Sequence, residues 1–352
     1  MQKIKLALLV FLVILGFSGT LLTTKADSVE KSAITVKEAN IQNEEYKQFE
    51  DFFTPAFQLI WNDFSEKFVN APVEFVGGNP VVADNLNKKL VDDSMFSSKD
   101  LYKTIGLQTF KTKKRIERDL KRKFNESSKL LDAIQWYKKT NDKYVLYAMF
   151  KKDIFFNNSF KDLQSSSFNN SKEKFKYFGV TSNPESYAKE VTPIYYNNKN
   201  DFAVKLSTKS NDEIILLTDN SNKPVFEIWD NFYKNKLSKK SDLTFDEDSK
   251  LFIPEINLKN RINYQELTNK QIKGSNYIIE TALEDIEFSL DKNGAKIRNE
   301  AIMSVKRMAL RPDSWQKVYN FNKPFILFIR TKDAKVPYFA LKIKDTKYLV
   351  QK

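Results

Sequence analysis

Phe49, Phe52, Phe53, Phe57, Ile60, Trp61, Phe64 and Phe68 recur at three- and four-residue intervals, the spacing that puts side chains on one face of an α-helix. The run predicts an amphipathic helix broken or started near Pro55. Residues 72–78 (PVEFVGG) predict a short strand closed by a Gly-Gly turn. A second helix is expected after Asn79, with Pro80 near its first turn. Residues 109–134 predict the most charged helix. Ile116, Leu120, Phe124, Leu130, Leu131 and Ile134 form its apolar side, and Lys111, Lys113, Lys114, Arg115, Arg118, Lys121, Arg122 and Lys123 crowd the rest.

Past Lys143 the period shortens. Residues 144–150 (YVLYAMF) read as a buried central strand. Residues 202–206 and 213–217 form a hairpin pattern. Residues 165–171 and 236–250 are polar loops, and 251–258 is a strand containing Pro254. Residues 284–290 alternate apolar and polar side chains up to a turn at 291–294. Two strands, 325–330 and 336–343, close the chain around a turn at 331–335. Helices come first and strands dominate later, which predicts an α+β fold. There is no repeat and no Pro- or Gly-rich linker, so residues 46–352 read as one domain.

The ends and the composition narrow the function. Lys3 and Lys5 precede an apolar run over residues 6–17, and Thr24-Lys25-Ala26 fits a signal-peptidase site. Residues 1–26 are therefore expected to be a secretory signal, and 27–45 a polar lead-in; an uncleaved signal would leave the protein at the cell surface. Losing Lys3, Lys5 and Lys25 from 58 basic residues leaves 55 against 45 acidic ones, a net charge of +10. The chain has no cysteine, hence no disulfide, thiolate nucleophile or lipoprotein anchor. It has no histidine, hence no Ser-His-Asp triad or His-ligated zinc. No isolated carboxylate pair in an apolar setting stands out. The expectation is a protein that is not an enzyme, with no metal, cofactor or nucleic-acid partner. The basic helix offers one alternative partner, an anionic polymer held by Lys113, Lys114, Arg118 and Lys121.

The last hundred residues resemble the serpin family. Leu251-Phe-Ile-Pro254-Glu-Ile-Asn-Leu258 resembles its proline-containing strand. Residues 282–290, followed by Asp291-Lys-Asn-Gly294, resemble the sheet strand that ends in an acid-and-glycine turn. Phe321-Asn322-Lys323-Pro324-Phe325 resembles the family's closing segment, and residues 337–343 its last strand. Leu146-Tyr-Ala-Met-Phe150-Lys151 sits where serpins carry an asparagine-led strand, with Leu146 in place of that asparagine. Phe75-Val-Gly-Gly78-Asn-Pro80 sits where serpins have a Phe-Ser-Pro motif, without the serine. The likeness is closer over residues 140–345 than over 45–140.

The resemblance implies helices, mainly in the N-terminal half, packed on a large mixed sheet with smaller sheets and an exposed reactive loop. It implies a monomeric inhibitor of serine or cysteine proteases: cleavage of the loop lets it insert into the large sheet as a new strand, dragging the bound protease with it. With Gly294 at the loop base, Ala295, Ile297, Asn299 and Ala301 would face inward, and Lys296, Arg298 and Glu300 outward. The family prefers small residues there, so Ile297 and Arg298 are departures that would slow insertion. The family's spacing puts the cleaved bond at Met308-Ala309, with Arg307 as runner-up. Lys306 and Arg311 flank it. A serpin-like fold that binds a surface or polymer without inhibiting is the other reading, and an unrelated secreted enzyme or binding protein a third.

Overall fold

The computed structural model describes residues 47–239, 242–297 and 317–352. The expected signal and lead-in lie outside them. Among the described residues no helix is long and apolar enough to cross a membrane.

Pro55 sets the first boundary. The residue before a proline is driven to extended backbone, and Thr54 adopts φ −135° and ψ 150°. The helix α1 therefore spans Pro55–Phe64 only. Phe52–Phe53 form β1 instead, so the first aromatic residues of the periodic run belong to a sheet. After α1 the chain passes through a wide helical turn, Ser65–Val69, stopped by Asn70 in the left-handed region. Residues 72–78 form no strand; Phe75 makes one isolated bridge to Ile272. The helix after Pro80, α2, is Val81–Leu86.

Strand β2 (Leu101–Leu107) leads into α3 (Phe110–Phe124). Thr109 caps α3 by accepting from the Thr112 amide, and Asn125 ends it at φ 56°. The charged helix is thus shorter than its pattern predicts. Leu131 lies in a separate turn, Lys129–Asp132, yet is buried with Ile116 and Leu120, so two elements feeding one core mimic a single helix.

The remaining elements form the sheets. Among the described residues strand β3 (Tyr144–Phe150) pairs only with β2. Strand β4 (Lys152–Phe155) continues its direction one residue later. Strands β5 (Lys161–Ser166) and β6 (Phe175–Val180) pair, and β10 (Ser249–Pro254) and β14 (Lys317–Asn320) complete a sheet ordered β14-β10-β6-β5. Strands β7 (Val191–Asn198), β8 (Asp201–Ser207), β9 (Asp212–Thr218), β15 (Phe325–Thr331) and β16 (Phe339–Ile343) join β1 in a six-stranded sheet ordered β1-β16-β15-β9-β8-β7. The predicted 202–206/213–217 hairpin and closing hairpin are both here. The stretch 251–258 divides at Pro254: β10 enters one sheet and β11 (Ile256–Asn263) another. Strand β12 (Leu283–Asp291) pairs with β11, and β13 (Gly294–Ile297) follows the tight turn to sit between β12 and β4.

Helix α4 (Val225–Phe232) is an addition to the sequence reading. Val225, Ile228, Trp229 and Phe232 are buried at helical spacing after Pro224, and Trp229 packs on Phe328 of β15, with ring centroids 5.0 Å apart. The architecture is α+β.

Candidate functional site

Two sheets of this protein, ordered β11-β12-β13-β4 and β2-β3, leave a gap between them. Strand β13 runs antiparallel to both β12 and β4, so β12 and the β3–β4 run point the same way. At the top, β13 fills the space between them. Below Ile297 nothing described does. Residues Leu283–Phe288 of β12 pair with β11 on one side only, and β3 pairs with β2 on one side only. Two strand edges therefore face each other across a cleft, each with backbone groups available for a new partner.

The upper cleft is a cavity of about 110 Å³ between residues 147–150 and 284–287, with Thr54, Pro55 and Ala56 beneath and Ile297 at its head. The lower cleft is a slot of about 620 Å³ between β3 and residues 276–283, floored by Phe57, Ile60, Trp61 and Phe64 of α1. The 144–150 strand is consequently not the doubly covered strand its composition predicts: Tyr144 is exposed, and Leu146 and residues 148–150 are half-buried.

Gly294 is required where β13 begins. Its φ is +146°, and a Cβ would lie 2.0 Å from the Ile154 carbonyl oxygen. Ala295 and Ile297 are buried and Lys296 is half-buried. Beside them Lys152, opposite Ile297 in the ladder, places its Nζ 2.9 Å from Asp212 Oδ1, 3.6 Å from Asp100 Oδ2 and 5.3 Å from the Tyr338 ring centre. Tyr338 donates to Asp212 Oδ1 at 2.9 Å. Burial first, then Asp212, pushes the Tyr338 phenol well above its usual range.

Arg298, Asn299, Glu300, Ala301, Lys306, Arg307, Met308, Ala309 and Arg311 lie outside the described residues. The basic-helix candidates are described, and they divide. Lys114, Arg118 and Lys121 share one exposed face of α3. Lys113 is half-buried and bonded to Asp132 at 2.6 Å, with Glu117 at 3.8 Å. Arg118 lies 3.3 Å from Asp119.

The pattern contained a signal that points beneath the cleft. On β12 the inward parity holds Ile286, Phe288 and Leu290, and Glu284 shares it. A carboxylate in an apolar register needs partners, and Thr54 and Tyr264 supply them at 2.6 and 2.7 Å. Burial pushes this carboxyl up to about 7, and pushes the Tyr147 phenol, which lines the same cleft, up to about 12. Among the described residues no His, Cys, Asp or Glu cluster could hold a metal ion.

No protein-family model matches the sequence, and no curated protein matches it. The structure is similar to that of the thermophilic serpin Tengpin, at 12% identity and TM-score 0.46 over 85% of this chain and 90% of that one. It is also similar to human thyroxine-binding globulin, at 14% identity and TM-score 0.45 over 83% and 90%. Serpin48 of the insect Tenebrio molitor matches at 11% identity and TM-score 0.42 over 84% and 92%. Tengpin and Serpin48 are serpins by name.

Proposed function

We propose that this chain is a secreted, monomeric, non-catalytic inhibitor of serine or cysteine proteases, needing no cofactor, that acts by inserting its loop into the cleft. The observation that carries the reading is the gap between parallel strands, already begun by β13 and continuous with the chain that follows Ile297. Cleavage at Met308-Ala309, or after Arg307, would free that chain to extend β13 downward. Hydrogen bonds to both edges and burial of alternate side chains would drive the step.

The register of β13 sets the neighbours of each inserted residue. Ile297 is opposite Lys152, and Lys296 is opposite Ser289. Continued in step, Arg298 would stand beside Glu287, an attractive pair. Asn299 would enter the apolar side near Ile286 and Phe150 and need a hydrogen-bond partner. Glu300 would meet Asp285, which Arg261 already holds through two bonds of 2.6 and 2.7 Å. Ala301 would fit beside Glu284 and Ala148. These neighbours support slow insertion, with cleavage competing against trapping.

Incubation with trypsin-like and elastase-like proteases, followed by a denaturing gel, tests the proposal. A heavy covalent band and a large rise in Tm of the cleaved protein are expected. Cleaved fragments with no heavy band and no rise in Tm would reject it.

A second reading has its own support: Lys114 and Lys121 have no acidic partner among the described residues and line up with Arg118 on an exposed face. That face suits an anionic polymer, which a serpin-like protein could bind with or without inhibiting.

A further inference from the structure

Glu284 joins the β12 wall of the cleft to its floor at the start of α1. Thr54 donates to its Oε1, the Tyr264 hydroxyl lies 2.7 Å from its Oε2, and the Phe57 amide bonds the same carboxyl. Thr54 is the N-cap residue of α1, yet its hydroxyl caps none of that helix's own amides. A carboxyl from β12 takes over at the helix start. Tyr264 OH also contacts Gln48 Oε1, while Gln48 Nε2 is buried without a partner.

A phenol has one proton to give, so Tyr264 cannot donate to Glu284 and Gln48 together. The cluster closes in two ways. With Glu284 protonated, its O–H donates to Tyr264, and Tyr264 donates to Gln48 Oε1. With Glu284 ionised, Tyr264 donates to Glu284, and the Gln48 amide must turn over so that Nε2 donates to Tyr264. The observed amide, with Oε1 against the phenol and Nε2 unpartnered, matches the protonated arrangement.

We propose that Glu284 is a proton-operated latch under the cleft: protonated, it completes the hydrogen-bond chain through Tyr264 to Gln48 without burying a charge, and ionised, its buried charge favours opening of the cleft to water. The groups facing it leave it free to titrate. Burial dominates and pushes it up to about 7, against its hydrogen bonds from Thr54, Tyr264 and Phe57; Asp285 on its own strand pushes the same way as burial. Arg261 of β11 is already bonded to Asp285. Glu266, in the turn after β11, and Tyr147, on β3, supply no positive charge. The folded carboxyl thus keeps its proton to higher pH than the ordinary carboxyl of an unfolded chain. The stabilisation is complete below the ordinary value and is lost as pH rises through about 7.

The intact chain, with no protease present, provides the test, so the latch and the inhibitor reading stand or fall separately. Infrared spectra, Tm and amide-hydrogen exchange are followed from about pH 5 to about pH 9, bracketing the titration. Wild type is expected to show a protonated-carboxyl band that fades through neutrality and is missing in Glu284→Gln. Its Tm should fall by roughly 5 °C relative to that variant over the range. Exchange in residues 283–288 and 144–150, corrected for the intrinsic rate, should rise with pH in wild type only. Should Glu284→Gln fail to fold, Tyr264→Phe keeps the carboxyl, removes a donor to the anion and should move the band's midpoint upward. A band absent at the acid end, a band persisting to the alkaline end, a pH-independent Tm difference or an unmoved midpoint in Tyr264→Phe would each overturn the latch.

Discussion

Two hydrophobic clusters, one large and one small, are anchored differently. In the six-stranded sheet, β15 is bonded on both edges and buried from Phe325 to Arg330, with α4 covering one face through Trp229. One face of the β2–β3 ribbon rests on a small cluster of Ile116, Leu120, Leu131, Trp136, Val145 and Tyr147, while Leu146 and Phe150 pack against the main core. All but one residue of β2 are half-buried, and among the described residues the cleft edge of β3 carries no strand. Hydrophobic stabilisation follows the apolar area removed from water, so the ribbon with α3 belongs to the less stable end of the molecule. The difference teaches that the β3 wall of the cleft is held by less buried apolar surface than the sheet around β15.

The sharpest way to break that picture is at the top of the cleft, where β13 pins the two walls together. Gly294→Val places a side chain against the Ile154 carbonyl, at a φ that a β-branched residue avoids. A loss of about 4 kcal/mol is expected, with β13 expelled and exchange protection lost over Lys152–Phe155. A denaturant midpoint close to wild type would mean that β13 does not hold the walls.

The next effect separates the cores directly. Phe328→Ala in β15 leaves a cavity in the doubly covered sheet, and should lower global stability by about 3–5 kcal/mol. Leu120→Ala in α3 removes a fully buried side chain as well, but from the small cluster. Its loss of about 2–4 kcal/mol should appear first as faster exchange in β2, β3 and α3, with the six-stranded sheet still protected. Uniform loss of protection across all sheets in Leu120→Ala would show one cooperative core instead of two.

The legible parts of this molecule were those where one element obeys one period. The alternation over 284–290 and the closing hairpin carry their burial on their surface, and both form as strands. The pattern misled where two elements share a core. Phe52 and Phe57 lie on one helical spacing yet fall on either side of Pro55, in β1 and α1. Leu120 and Leu131 do the same across Asn125. The cleft itself was legible only through the resemblance, because an absent strand leaves no trace in hydrophobic periodicity. Glu284 was legible in principle, since its parity is that of Phe288, but the identity of its partners depends on contacts with Thr54, 230 residues away, and with Tyr264.

The smallest effect concerns the surface of the ribbon unit and tests whether its charge has a purpose apart from the cleft. Lys114, Arg118 and Lys121 stand out from α3 into solvent, while Lys113 spends its charge on Asp132. Exposed ion pairs contribute about 0–1 kcal/mol, so neutralising these residues singly should leave Tm almost unchanged. Retention on a polyanion column should respond unequally. Lys114→Gln, Arg118→Gln and Lys121→Gln each remove a charge from the exposed face and should lower the salt needed for elution. Lys113→Gln should lower it less, because its charge is already matched, and Asp132→Asn should raise it by freeing Lys113. Equal shifts for all four basic residues would indicate a response to net charge alone, and the aligned face of α3 would then be only the wet side of an amphipathic helix.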